Sequence, residues 1–135
     1  MKIRLATSLA DINAAEPLFD GPVQPAAARR FLDADGHHLL VAYTDGEDAV
    51  GMIVGVETTM PDKGTEMFLS ELGVDEAHRN QGIGRALVQA LRDLAATRGC
   101  TGMWVPVDHD NEPAHRTYLA TQPTGDETVR VFSWD

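Results

Sequence analysis

The sequence is poor in cysteine, in long apolar runs and in positive charge, and each shortage narrows what the protein can be. Its single cysteine, Cys100, cannot form an internal disulfide, as expected in a reducing compartment. No apolar run approaches the ~20 residues that cross a bilayer, and none follows the charged start of the chain, so we expect a cytoplasmic protein without a membrane partner. Lys and Arg number 11 against 21 Asp and Glu. Nucleic acid is therefore not an expected partner, whereas a cationic substrate would be attracted.

The remaining composition is that of an ordinary globular protein. The chain has 135 residues, of which 43% are hydrophobic. This length predicts one domain spanning residues 1–135, with a core but no room for a second unit. The five histidines show no ligand spacing with cysteine or carboxylate, so no metal site is expected.

The most informative stretch is a strand, a loop with two glycines and a helix, between residues 69 and 98. Apolar residues Ile83, Leu87, Leu91 and Leu94 recur at spacings of four, four and three, which predicts one apolar helix face. The first amides of a helix have no intrahelical acceptor and carry the positive end of its dipole, so they bind anions. Glycines 82 and 84 would let the backbone approach such a group. We expect a phosphate or pyrophosphate there.

Two common phosphate-binding motifs do not fit this loop. A Walker loop requires Lys and then Ser or Thr after its second glycine, and none follows here. A Rossmann fingerprint requires a third Gly or Ala where this chain has Leu87, and a later acidic residue that is also missing.

Periodicity along the rest of the chain predicts an alternation of strands and helices. Strands are expected over 2–6, 38–44, 49–58, 66–74, 101–107 and 129–134, and helices over 9–18, 26–34, 82–98 and a segment through Tyr118 to Thr121. The strands from 38 to 74 form an antiparallel meander. The helix from Gly82 would lay strand 101–107 parallel to its predecessor.

The glycine loop resembles the acetyl-CoA-binding motif of the GNAT N-acetyltransferases. Its residues Arg79-Asn80-Gln81-Gly82-Ile83-Gly84 fit the pattern Gln/Arg-x-x-Gly-x-Gly/Ala, and Asn111, Ala114 and Tyr118 fit the family's Asn-x-x-Ala-x-x-x-Tyr. The resemblance implies an α/β (α+β) fold, with a mixed, mostly antiparallel sheet of about six strands flanked by about four helices. The segments 67–74, 103–105 and 132–135 are similar to a subgroup related to aminoglycoside 3-N-acetyltransferases. The chain departs from the family in having Gln122-Pro123 after the tyrosine helix and only one strand beyond it.

The resemblance implies direct transfer of acetyl from acetyl-CoA to a primary amine of a small molecule, such as an aminoglycoside or another polyamine. Tyr118 would be the general acid for the thiolate, and Glu71, or else Asp108 or Asp110, the general base, with His109 a minor candidate. The two early helices and their loop would form much of the acceptor-side wall, with Phe19, Asp20 and Phe31 as candidates for substrate contact, although core packing is the favoured role for both aromatic residues. Cofactor contacts would come from the strand before the loop, the loop itself and the start of the tyrosine helix: Leu72, Gly73, Val74, Arg79, Asn80, Gln81, Gly82, Ile83, Gly84, Arg85 and Asn111.

Other functions remain open from the sequence. A domain that binds or senses acyl-CoA without turnover would keep the same loop, and an acetyltransferase acting on a protein or peptide amine would keep the same catalytic residues. Exposed terminal strands make a homodimer a further expectation.

Overall fold

A computed structural model describes all 135 residues. In chain order the elements are β1 (Lys2–Leu5), α1 (Leu9–Ala14), α2 (Pro25–Asp33), β2 (His37–Tyr43), β3 (Ala49–Met60), β4 (Gly64–Val74), α3 (Ile83–Thr97), β5 (Met103–Trp104) and α4 (Glu112–Ala120). Short 3₁₀ turns cover Glu16–Leu18 and Glu76–His78. None of the helices is both long and apolar enough to cross a membrane.

The strands form one five-stranded sheet in the order β1-β2-β3-β4-β5. The first four strands are antiparallel neighbours, while β5 lies parallel to β4 as the crossover through α3 predicts. The α/β architecture inferred from the sequence is therefore confirmed, with five strands where about six were expected.

Both faces of the sheet are buried, which explains the continuous apolar run of β2. Leu39 and Val41 point into a core shared with α1 and α2, whereas Leu40 and Ala42 point into a second core formed with α3. A strand covered on both faces has no polar side in its alternation. The helices α1 and α2 thus lie on one face and α3 on the other.

The edge between β4 and β5 opens because β4 contains a bulge. Val54 of β3 pairs with Glu71, but the next residue, Gly55, pairs with Leu69, so Ser70 is the extra residue. A bulge bends its strand and increases the local twist. On the other side of β4, pairing with β5 covers only Met67 and Phe68. The two parallel strands therefore separate where β4 continues toward the glycine loop.

Two predicted strands are corrected by the structure. Strand 101–107 is reduced to Met103–Trp104, because Pro106 lacks the N–H that a ladder needs and β4 bends away after its bulge. The segment 129–134 is not a strand: its residues are exposed and pair with nothing. An alternating pattern fixes which side chains share a face, but a strand also needs a neighbouring edge to pair with, and β5 is too short to offer one.

The first predicted helix is also shorter than expected. It ends at Ala14, and the chain continues through the 3₁₀ turn Glu16–Leu18 rather than as one helix to Leu18. Pro17 lies in that turn, where it removes a backbone donor that a continuing α-helix would use.

A cluster of polar side chains connects β2 and β3 to the C-terminal end of α3. Glu57 accepts hydrogen bonds at 2.6 Å from His38 Nε2 and at 2.7 Å from Arg98 Nε, and Arg98 also binds the Asp35 carboxylate at 2.9 Å. His38 is buried, and the side chain of Glu57 is only 12% exposed. These contacts lower the pKa of Glu57 in spite of its burial, so the carboxylate stays ionised beneath the guanidinium.

Candidate active site

The unpaired edge of β4 is the first component of the site. The amide of Asp75 donates to Val50 of β3 at 2.8 Å, whereas the carbonyl of Val74 is approached by Arg79 Nε at 3.4 Å. Backbone groups alternate between the two sides of a strand in an antiparallel ladder. The groups of Leu72 and Val74 therefore face the open edge, and those of Gly73 face β3. An extended ligand lying in this gap would pair with Leu72 and Val74.

The glycine loop places a run of free amide donors at the end of that edge. The amides of residues 80 to 85 donate no hydrogen bond within the chain, and the first amide to enter the α3 ladder is that of Ala86, bonded to Gly82 O at 3.0 Å. Gly82 caps α3 without a side-chain hydrogen bond. Asn80 and Gly82 have positive φ angles of 62° and 80°, which turn the loop onto the helix axis. This arrangement is suited to an anion.

The two glycines of the loop differ in what they permit. A Cβ on Gly82 would meet nothing within 4 Å, so this residue is required by its left-handed backbone and leaves the approach to the amides open. A Cβ on Gly84 would lie 3.3 Å from Thr117 Cγ2 and also close to Val74 and Leu72. Gly84 therefore allows α3, β4 and α4 to pack closely. The sequence-based account, in which both glycines clear space for the ligand, fits Gly82 only.

A groove of about 460 Å³ continues from the loop between α3 and α4. Arg85, Gln89 and Arg92 line its α3 side, and Thr121 lies on its α4 side, where its carbonyl accepts from Arg92 Nη1 at 2.9 Å. Sequence reasoning identified Arg85 but missed Gln89 and Arg92. Gln89 follows Arg85 by four residues and Arg92 follows Gln89 by three, so all three lie on the same helix face, and this was the available signal.

Tyr118 lies on α4 beside the core that α3 forms with the sheet. Burial raises the pKa of its phenol above the usual value of 10.0. The hydroxyl has no hydrogen-bond partner in the chain, and no unpartnered side-chain oxygen is fully buried, so it reaches accessible space. A neutral phenol with a free hydroxyl can donate a proton.

Glu71 lies on the opposite face of the sheet, toward α1 and α2. It is half-buried, and burial together with the nearby charge of Asp20 raises the pKa of its carboxyl above 4.5. Asp20 reaches it because the preceding 3₁₀ turn packs on β4: a Cβ on Gly73 would be 2.9 Å from the carbonyl of Leu18. Glu71 and Gly73 therefore lie on the same face of the sheet. A carboxylate with a raised pKa is a better general base near neutral pH.

The alternative bases lie elsewhere. Asp108, His109 and Asp110 are exposed in the turn after β5. The Asp108 carbonyl accepts from the Asn111 amide at 3.0 Å, and Asn111 caps α4 by accepting from the amide of Ala114 at 3.2 Å. This turn therefore organises the start of α4, and none of its carboxylates is buried as Glu71 is.

The arrangement offers no constellation for a metal ion. No group of three or more His, Cys, Asp or Glu side chains lies close enough together to hold one.

Comparison with known proteins identifies the family of the chain. The model of the family described as "Acetyltransferase (GNAT) family" matches residues 7–121. Mycothiol acetyltransferase of Salinispora arenicola is 32% identical over 112 residues, which cover 83% of this chain and 33% of that protein. Streptothricin acetyltransferase of Streptomyces lavendulae is 29% identical over 86 residues, covering 64% of this chain and 43% of the relative. The chain thus spans less than half the length of these relatives.

Solved structures share the fold over nearly the whole chain. An aminoglycoside acetyltransferase from an uncultured soil metagenomic sample, crystallised with trehalose, superposes with a TM-score of 0.91 at 21% identity, over 99% of this chain and 95% of the other. The aminoglycoside N-acetyltransferase AAC(6')-Iy in complex with CoA gives a TM-score of 0.81 at 22% identity, over 99% and 98% of the two chains.

Proposed function

The chain belongs to the GNAT acetyltransferase family, and on that premise we propose that it transfers an acetyl group from acetyl-CoA to a primary amine of a small molecule. Residues 1–135 would act as a single catalytic domain. The observation that carries the proposal is the run of free amides at residues 80 to 85, directly beyond the open edge of β4.

The residues present fit acetyl-CoA. A pyrophosphate would accept from the loop amides at the start of α3, where Gly82 leaves the approach open and Arg85 adds a positive charge. Leu72 and Val74 offer backbone groups to an extended arm along the open edge of β4. The groove beside Arg85 and Arg92 extends the site away from the reaction centre.

Acetyl-CoA supplies the activated acetyl thioester. An ammonium has no lone pair, so the site must first remove a proton, and we assign this to Glu71, directly or through water. An amide of the β4 edge would polarise the thioester carbonyl. Tyr118 would protonate the sulfur as the C–S bond breaks and the C–N bond forms. Of the amine's two lost protons, one thus replaces that of Tyr118 and the other leaves through Glu71.

Two measurements test this function. Calorimetric titration with CoA should give saturable binding, and thiol release from acetyl-CoA should depend on an added amine. Absence of CoA binding would refute the site, whereas binding without release for any amine would favour the acyl-CoA sensor.

The same release assay distinguishes a protein substrate. Peptides with free N-terminal or lysine amines are tested beside small amines at equal concentration. Preference for a peptide would replace the small-molecule assignment and leave acetyl transfer intact.

We also propose that the protein acts in the cytoplasm and self-associates through its C-terminal segment. Val131, Phe132 and Trp134 are between 67% and 87% exposed on this segment, and a second chain would cover them. Light scattering after size exclusion should give the mass of a dimer, and Phe132→Ser/Trp134→Ser the mass of a monomer. A monomeric wild type would refute the assembly.

A further inference from the structure

An apolar cavity of about 250 Å³ lies between α2, residues 19–24 and the face of the sheet. Phe19 and Phe31 contribute aromatic walls and Val54 the floor, and Gln24 is the one lining residue with a polar side chain. Sites for drug-sized ligands typically measure about 300–1,000 Å³, so this cavity fits only a compact group.

Two carboxylates are immediate neighbours of residues that line this cavity. Asp20 lies between Phe19 and Gly21 along the chain, and both of these line it. Glu71 is the direct cross-strand partner of Val54, and such partners point to the same face of a sheet. An ammonium held between Asp20 and Glu71 would therefore have the apolar cavity beside it.

We propose that the acceptor is a monoamine bearing one compact apolar substituent, an aryl or branched alkyl group, which enters this cavity while its amine lies between Asp20 and Glu71. This inference rests on the proposed acetyl transfer and narrows its substrate. A polycationic sugar or polyamine would have to place several hydroxyls or ammonium groups against a lining in which only Gln24 has a side chain that can hydrogen-bond, which is unfavourable. The amine reacts by the proton transfers already assigned to Glu71 and Tyr118.

The acceptor preference is measured by thiol release at saturating acetyl-CoA. 2-Phenylethylamine is compared with methylamine, spermidine and kanamycin. Burial of a phenyl group predicts a kcat/KM on the order of 10- to 100-fold higher for 2-phenylethylamine than for methylamine. Equal values, or a preference for spermidine or kanamycin, would overturn the inference while leaving acetyl transfer established.

A pair of variants on α2 locates the binding site. Ala26 and Ala27 are both exposed on α2, but only Ala27 lines the cavity. Ala27→Leu should raise the KM for 2-phenylethylamine about tenfold and leave methylamine unaffected, and Ala26→Leu should change neither. Equal effects of the two variants would refute the cavity as the site.

A binding experiment separates this inference from the function beneath it. Saturation-transfer NMR of 2-phenylethylamine with the CoA complex reports binding without turnover. If no amine is acetylated, binding that Ala27→Leu weakens would support the cavity while the transferase assignment falls. Absence of 2-phenylethylamine binding would overturn the cavity assignment alone, because the thiol-release assay tests acetyl transfer to other amines independently.

Discussion

Substitutions at the two glycines of the glycine loop should impair the protein in different ways. At Gly84 a new Cβ would be 3.3 Å from Thr117 Cγ2, a tight contact. Thr117 cannot easily turn away, because its hydroxyl donates to the Pro113 carbonyl at 3.1 Å and fixes the side chain. At Gly82 the Cβ would meet no atom, but the φ of 80° is unfavourable for any L-residue.

These contacts set the expected magnitudes. Gly84→Ala gains up to about 1 kcal/mol of helix propensity against one tight methyl contact, so its unfolding free energy should stay close to that of the wild type. Gly84→Val adds two further carbons and should cost about 1–3 kcal/mol of overpacking. Gly82→Ala should cost about 1–2 kcal/mol through its backbone alone. The family pattern, which accepts Gly or Ala at the second position, agrees with this ranking.

Thermal unfolding, CoA calorimetry and turnover together distinguish the two mechanisms. Gly84→Val displaces α4 and with it Tyr118, so kcat should fall more than CoA affinity does. Gly82→Ala alters the loop amides, so CoA affinity should fall more than kcat at saturation. A Gly84→Val variant with wild-type stability and turnover would refute the packing argument, and the reverse pattern of losses would refute the division of roles.

Three further outcomes follow from buried or half-buried side chains. Because the pKa of Glu71 is raised in the folded state, the wild-type protein loses unfolding free energy as the pH rises through the folded-state pKa. Glu71→Gln should therefore unfold at a higher temperature than the wild type at pH 8 and at the same temperature below pH 4.5. The kcat of this variant should fall by a factor on the order of 10²–10⁴. Tyr118→Phe should retain CoA binding by calorimetry and lose kcat, and unchanged turnover would exclude the phenol as the acid. Glu57→Ala should lower the unfolding free energy by about 1–3 kcal/mol in denaturant titration, because buried His38 loses its hydrogen-bond partner. Glu47, which forms an exposed ion pair with Arg4, is the control, and Glu47→Ala should have the unfolding free energy of the wild type.

Local pattern predicted most of the elements because their signals lie within each segment. The spacing of Ile83, Leu87 and Leu91 determines a helix whatever surrounds it, and α3 begins and ends within a residue of the expected bounds. The prediction of a strand over 129–134 was wrong because a strand must hydrogen-bond to a sheet edge, and that edge is supplied by another part of the chain. Periodicity carries no information about that edge.

The site was less accessible to sequence reasoning, because its two carboxylates come from distant segments. Glu71 could be proposed from its place before the loop, but its proximity to the charge of Asp20 depends on the turn at Leu18 packing against Gly73. The apolar cavity is likewise formed by tertiary packing of α2 against the sheet, where Leu39 of β2 and Val54 of β3 line it. No spacing along the chain predicts either feature.

The bulge at Ser70 explains both the open edge of β4 and the position of Glu71, and it is visible in the pattern of apolar residues around it. Met67 and Leu69 face the core under α3, and so do Leu72 and Val74. The residues that face this core therefore have odd numbers before Ser70 and even numbers after it. A regular strand would keep one parity. The extra residue thus turns Glu71 toward the acceptor face, keeps Leu72 and Val74 on the α3 side, and bends β4 away from β5. One inserted residue therefore both opens the edge along which a thioester would lie and sets the base on the face from which an amine would approach.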